Sequence, residues 1–284
     1  MAVQRCGGPC DRSNRGVRRR AVDVSRLEGR VAIVTGAGQG VGEGIARRLA
    51  REGAVVVVAA RRAETGEPVA TSIREAGGRA ECIVTDVADG ESVQNCVDET
   101  VRRFGRLDIM VHNAFMGGIP HKLENARIDK HWTNMSRTGV WASLFCARAA
   151  MPHLVASSKR PAGTGGGRLI LITSPSGVEG SANIPLYSPA KAAQRAIAKS
   201  LAREWGPHGV TVNCIGPVAG SPALLTAFER NPALQDAIEA RTPLGRVGDI
   251  TEDIGSVALF LAGDDSAFVT GQTIICDGGS FLGL

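Results

Sequence analysis

Aromatic side chains are scarce in this chain of 284 residues: phenylalanine, tryptophan and tyrosine together make up 4%, and Tyr187 is the only tyrosine. With 36 glycines and 43% hydrophobic residues, its core must close through small side chains brought near one another rather than through rings. No apolar run approaches the ~18–20 residues that a membrane span requires, so no membrane partner is read. The five histidines show neither HExxH nor a comparable ligand spacing, and no metal is expected. The seven cysteines (6, 10, 82, 96, 146, 214 and 276) are odd in number and scattered, which excludes a disulfide framework. The last five lie mostly in apolar runs and read as reduced core thiols of a cytoplasmic protein. Cys6 and Cys10 have no second Cys/His pair to complete a metal site.

A charge bias is also missing from most of the chain. The formal net charge is +5, but residues 1–20 hold six arginines against one aspartate, Asp11, so the rest is neutral. A neutral body gives no electrostatic reason to bind nucleic acid. Residues 1–24 lack the apolar stretch of a secretory signal and read as a basic, disordered extension. The folded unit is expected over residues 25–284.

Within that unit, short Val/Ile/Leu-rich runs alternate with helix-length segments. Strands are expected at Val31–Thr35, Val55–Ala60, Ala80–Thr85, Leu107–His112, Arg168–Thr173, Val210–Cys214 and Thr273–Cys276. Most lack in–out alternation, as strands buried on both faces do. Segments such as Gly42–Arg51 and Ser92–Phe104 have helical spacing. The fold class is therefore α/β: a single domain with a doubly wound parallel sheet of about seven strands and helices on both faces. Ser157–Gly167 reads as a loop, and Pro217–Pro243 as either a lid or a surface helix pair.

The segment VAIVTGAGQGVGEGIA carries the first functional signal. A buried strand runs into Gly36, Gln39, Gly40, Val41 and Gly42, and a helix follows. Glycines let the backbone approach a pyrophosphate, and the helix offers free N–H groups and its positive dipole end. The second strand ends at Ala60 and is followed by Arg61 and Arg62 rather than by an acid. With no carboxylate to repel a 2′-phosphate and a guanidinium to grip one, NADP(H) is favoured, while NAD(H) stays open. Asp86 follows the third strand, where its carboxylate suits an adenine amino group. Capping the next helix is the alternative, although Asp89 is the better placed cap. Asn113 ends the fourth strand, where the sheet's carboxyl edge would meet the cofactor.

Tyr187 and Lys191 are four apart in YSPAKAA, which places them on one face of a helix running to about Trp205. An ammonium beside a phenol is expected to lower the phenol's pKa, so that it exchanges a proton nearer neutrality. Lys191 is also suited to hold a nicotinamide ribose. Ser174, at the end of the fifth strand, offers a hydroxyl to a substrate oxygen.

Taken together, these motifs resemble the short-chain dehydrogenase/reductase family over about residues 25–284. TGAGQGVG resembles its TGxxxGxG loop, Asp86-Val87 its adenine contact, HNA its NNAG strand end, and VNCIGP, which holds Pro217, the segment closing over the nicotinamide. Ser174, Tyr187 and Lys191 match its triad in order and spacing. The resemblance implies a Rossmann fold, a small alcohol or carbonyl substrate, Tyr187 as general acid/base, Ser174 positioning the substrate oxygen and Lys191 binding ribose. TPLGRVGDITED and VTGQTIICDGG resemble a C-terminal part that in many members helps build a homotetramer; a homotetramer or homodimer is expected.

Three segments depart from the pattern. His112 and Phe115 replace an Asn and the Gly of NNAG, with Phe115 expected to crowd the pocket mouth or line an apolar substrate. Ser136 stands where many members carry a relay asparagine, and Asn134 should point elsewhere on the helix. Val218 follows Pro217 where Gly is usual. These departures motivate an alternative, a cofactor-binding sensor or scaffold without catalysis. Phe115, Met116, Val178, Ile184 and Leu186 are candidate apolar pocket residues, but the sequence does not identify the substrate.

Overall fold

A computed structural model describes residues 25–118, 122–161, 166–220 and 222–281. The basic extension and the Cys6/Cys10 pair lie outside the described residues. Seven strands form one sheet: β1 (Val31–Thr35), β2 (Val55–Ala60), β3 (Arg79–Val84), β4 (Ile109–His112), β5 (Arg168–Ile172), β6 (Thr211–Pro217) and β7 (Thr273–Cys276). Their order is β3-β2-β1-β4-β5-β6-β7, and every neighbouring pair is parallel. The helices are α1 (Gly40–Arg51), α2 (Ala63–Glu75), α3 (Gly90–Phe104), α4 (Ile128–Met135), α5 (Ala142–Ser158), the short α6 (Ser176–Glu179), α7 (Tyr187–Trp205), α8 (Pro222–Arg230), α9 (Pro232–Arg241) and α10 (Gly255–Ala262).

Each central strand is apolar on both faces because each face is covered. In β1, Ala32 and Val34 pack into one layer with Ile45 and Leu49 of α1, Ile73 of α2 and Leu259 of α10. The intervening Ile33 packs into the other layer with Val97 of α3, Leu154 of α5 and Trp205 of α7. Alternating side chains thus enter two cores, and no polar face remains to give the period-two signature. Strands β1, β2 and β7 match the expected bounds. β3 starts one residue earlier, and β6 runs on to Pro217 because it pairs with Cys276 of β7. Cys82 and Cys276 are half-buried on the two edge strands rather than in the core. α5 extends through Ser158, so the expected loop begins two residues later. Pro217–Pro243 contains the helix pair α8 and α9.

The amino ends of the strands are tied by buried ions. Arg30, just before β1, is fully buried; it donates to Ala262 O at 2.9 Å and to Asp264 at 2.5 Å. Asp108, just before β4, is equally buried and accepts from Val31 N at 2.8 Å, from Arg106 at 2.6 Å and from Ser157. Arg168 opens β5 and reaches Gly263 O and Asp264. At the carboxyl ends, the chain leaves β1 towards β2 and reaches β4 on the other side. The crevice between β1 and β4 is where such sheets bind ligands.

Among the described residues, no helix is long and apolar enough to cross a membrane.

Candidate active site

Both sharp bends of the glycine loop need left-handed backbone, with φ of +65° at Gly36 and +61° at Gly40. Gly36 also lies against β4's exit, where a Cβ would come within 2.8 Å of Ala114 Cα. α1 then starts without a side-chain cap: Gln39 occupies the N-cap position but makes no capping bond. The free N–H groups of its first turn face a cleft of about 480 Å³, whose lining includes Gly36, Gln39, Gly40, Val41, Arg61 and Asn113. Sequence reasoning missed Gly38 and Thr65. A Cβ at Gly38 would come within 2.9 Å of Thr65 Oγ1 on α2, so only glycine fits there.

A second depression of about 180 Å³ continues from the first and is lined by Arg61, Asp86 and Val87, with Thr138 as a further residue not foreseen. Arg61 is exposed and borders both. Asp86 is exposed too, although one carboxylate oxygen accepts from Ala88 N at 2.9 Å. The cap of α3 is Asp89, which accepts from Glu91 N at 3.0 Å. Asn113 lines the cleft, but its amide nitrogen is spent on Thr35 O at 3.0 Å and Gly36 O at 3.2 Å. Its observed work is to brace the loop. Pro217 lines neither depression; it pairs with Cys276 at the end of β6.

Ser174 lies two residues beyond the end of β5, and its hydroxyl is 2.9 Å from that of Ser176. α7 is fastened to the same strand end by Thr173, whose hydroxyl donates to Lys191 O at 2.9 Å. This contact aims the first turn of α7, which opens on Tyr187, and the Ser174 hydroxyl draws the phenol's pKa down. Lys191 is buried and donates from Nζ to Ile172 O at 2.8 Å. Its Nζ lies 5.6 Å from the Tyr187 ring centroid and 4.0 Å from that of Phe115. Phe115 and Tyr187 meet edge to face with centroids 5.2 Å apart.

This burial corrects the expectation for the phenol. Burial pushes the Tyr187 hydroxyl above its ordinary value, and only the bond to Ser174 pulls it back. Lys191 does not offset that, because burial pulls its own ammonium down to about 7. The tyrosine–lysine pair is assembled, but its charge is suppressed in the free protein.

The departures find local explanations. Thr35 Oγ1 accepts from Asn113 N and Ala114 N at 3.0 and 3.2 Å, so its own proton is directed to His112 Nδ1 at 3.1 Å. His112 then carries its hydrogen on Nε2, which is fully buried with no well-aligned acceptor among the described residues, and burial, which outweighs the pull of the Gly139 and Thr138 carbonyls, lowers its pKa to about 3. Ser136 opens a π-turn (Ser136–Trp141) between α4 and α5, and its hydroxyl is spent on Thr133 O at 3.1 Å. Val218 donates to Cys276 O at 2.9 Å, and no non-glycine residue described has a positive φ, so valine is unstrained there.

Another depression, of about 780 Å³, lies away from this chemistry along edge strand β3. Its arginines are neutralised, Arg74 by Glu67, Arg79 by Glu28 and Arg103 by Glu81.

Comparison with known proteins agrees with this geometry. Residues 36–280 match the family model described as enoyl-(acyl carrier protein) reductase. A short-chain dehydrogenase/reductase of Arabidopsis thaliana is 32% identical over 257 residues, covering 89% of this chain and 95% of that protein. The crystal structure of a gluconate 5-dehydrogenase from Burkholderia cenocepacia, in complex with NADP and tartrate, superposes with a TM-score of 0.81 at 32% identity, covering 91% of this chain and 97% of that one. A 7α-hydroxysteroid dehydrogenase complexed with NADH and 7-oxo glycochenodeoxycholic acid superposes with a TM-score of 0.80 at 29% identity, covering 90% and 96%.

Proposed function

The chain belongs to the short-chain dehydrogenase/reductase family and is an oxidoreductase of alcohol and carbonyl groups, and from that premise we propose how its residues divide the work. The cofactor is a nicotinamide dinucleotide, NADP(H) in preference to NAD(H). Solved relatives hold either one, so the preference rests on Arg61. The cleft fits such a group: an uncapped helix N-terminus faces a space whose described lining holds Arg61 and Arg62 and no acid. Gly36, Gln39, Gly40, Val41 and Gly42 approach the phosphates, Arg61 takes the 2′-phosphate, and Asp86 and Val87 flank the adenine. Asn113 holds the loop in shape, and Pro217 borders the nicotinamide end. When bound, the cofactor gives or takes the hydride.

Tyr187 is the general acid/base whose hydroxyl passes the proton to or from the substrate oxygen. Ser174 donates to that oxygen as its charge develops. Lys191 holds the ribose and, once charged, favours the phenolate. The observation that carries this reading is the convergence of Ser174, Tyr187 and Lys191 at the carboxyl edge of the sheet. Titration of the protein with NADPH and NADH, followed by fluorescence, tests it: NADPH is expected to bind more tightly. Binding of neither overturns the cofactor reading, and binding without turnover of any ketone would favour the non-catalytic sensor or scaffold.

The protein also assembles as a homodimer or homotetramer in the cytoplasm. Supporting assembly, Trp132, Trp141 and Leu144 are exposed along α4–α5, and Phe268 lies wholly on the surface. Supporting the compartment, Cys82, Cys96, Cys146, Cys214 and Cys276 are free thiols. Light scattering on the purified protein tests the assembly.

A further inference from the structure

Phe115 touches both halves of the site. On one side its ring lines both the phosphate-loop cleft and the adjoining depression under Arg61. On the other it meets the Tyr187 ring edge to face, with centroids 5.2 Å apart, and covers Lys191 Nζ at 4.0 Å. The ring is seated in a slot made by two missing side chains. A Cβ at Gly117 would come within 2.9 Å of the ring and one at Gly139 within 2.5 Å. Gly117 and Gly118 follow with φ of +154° and +92°, conformations that give this corner freedom other residues lack.

We propose that Phe115 is a displaceable aromatic plug, which separates the cofactor cleft from Tyr187 and Lys191 in the free enzyme and must swing aside when the cofactor binds. The inference rests on the reading of that cleft as the nicotinamide-dinucleotide site.

The competition is for one amine. Lys191 Nζ spends one hydrogen on Ile172 O, and its remaining hydrogens face the Phe115 ring. A ring face is a weak acceptor beside the hydroxyls of a sugar. Ring and ribose cannot occupy the same side of Nζ, so the stronger acceptors displace the weaker one. Burial has already drawn this ammonium down to about 7, which makes an apolar cover tolerable until a polar ligand arrives. The plug therefore lowers the population of the binding-competent state and reduces apparent affinity by that fraction.

Stopped-flow mixing with NADPH, read by its fluorescence, tests the plug without relying on turnover. In the wild type the observed binding rate is expected to level off at high NADPH, limited by ring displacement. In Phe115→Ala it should rise linearly, and the Kd should fall by roughly 3- to 30-fold. A linear wild-type rate, or a Phe115→Ala plateau at the wild-type value, overturns the inference. If Phe115→Ala does not fold, Phe115→Leu carries the test, since it keeps the bulk but loses the ring face and edge. Its plateau should rise several-fold, and an unchanged plateau overturns the plug. NADPH binding that is indifferent to residue 115 overturns the plug alone, whereas no binding of NADPH or NADH to either protein overturns the cofactor reading with it. Binding by Phe115→Ala but not by the wild type is the plug at its extreme.

Discussion

The two ends of one sheet treat buried charge in opposite ways. At the amino ends, Arg30, Asp108 and Arg168 are out of water, and each meets carbonyls, hydroxyls or an opposite charge within hydrogen-bond reach. At the carboxyl ends, Lys191 is almost as deeply buried with no ion pair among the described residues, His112 Nε2 is buried with no well-aligned acceptor among them, and burial raises the pKa of Tyr187. Matched charge holds strands together. Unmatched titratable groups are driven towards their neutral forms at a cost in stability, and they persist where a ligand or a reaction will use them. The depression along β3 has no such residual demand, because its arginines are already paired.

The sharpest test of that contrast exchanges one atom at the reactive end. Tyr187→Phe should lower kcat by about 10²–10⁴-fold, the span of general acid–base catalysis, with little change in melting temperature. Full turnover in the variant would remove Tyr187 from the mechanism. Asp108→Ala should do the reverse. It strands Val31 N–H and uncouples Arg106, costing about 3–5 kcal/mol of stability by the reckoning for a broken buried pair. Denaturant unfolding checks this, and a loss below about 1 kcal/mol would place the pair in the weak class of surface ion pairs.

His112 shows the same contrast through pH. Its folded pKa is about 3 against 6.5 for an ordinary histidine, so the unfolded chain binds the extra proton between those values. The contribution to stability is complete above pH 6.5 and is lost as pH falls towards 3, at about 1.4 kcal/mol per pH unit. Between pH 7 and pH 5 the wild type should therefore lose about 2 kcal/mol more than His112→Asn. Parallel acid limbs for the two proteins would show that the imidazole is open to solvent.

Local chemistry was legible in the sequence, and burial was not. The glycine loop, Ser174 and the Tyr187–Lys191 spacing are short-range patterns, and the strand bounds of β1, β2 and β7 follow from apolar runs alone. β6 outran its expected end because pairing with Cys276 decides where it stops. Gly38 carries no signal of its own in the sequence; the demand for glycine there comes from α2, which places Thr65 against it. The expected effect of Lys191 on Tyr187 misjudged the balance, because the pattern supplies the ammonium without the desolvation that suppresses it. The seat of Phe115 depends on Gly139 in the π-turn, far away in sequence.

Arg61 supplies the smallest effect and the closest comparison, since it shares its side chain with Arg30 and Arg168. Those two are buried and matched, whereas Arg61 is exposed at the mouth of the cleft, with no carboxylate partner among the described residues. An exposed guanidinium without a partner does little for the fold, so Arg61→Ala should leave the melting temperature within about 1–2 °C of wild type. Its value lies in a phosphate that only one of the two cofactors carries. The Kd for NADPH should rise about tenfold, or about 1.4 kcal/mol, while the Kd for NADH stays unchanged. Added salt should narrow the difference between the cofactors, because the pair forms at the surface. An equal loss for both cofactors would assign Arg61 to the shared pyrophosphate. No loss for either would pass the role to Arg62, one residue on, at the N-cap of α2.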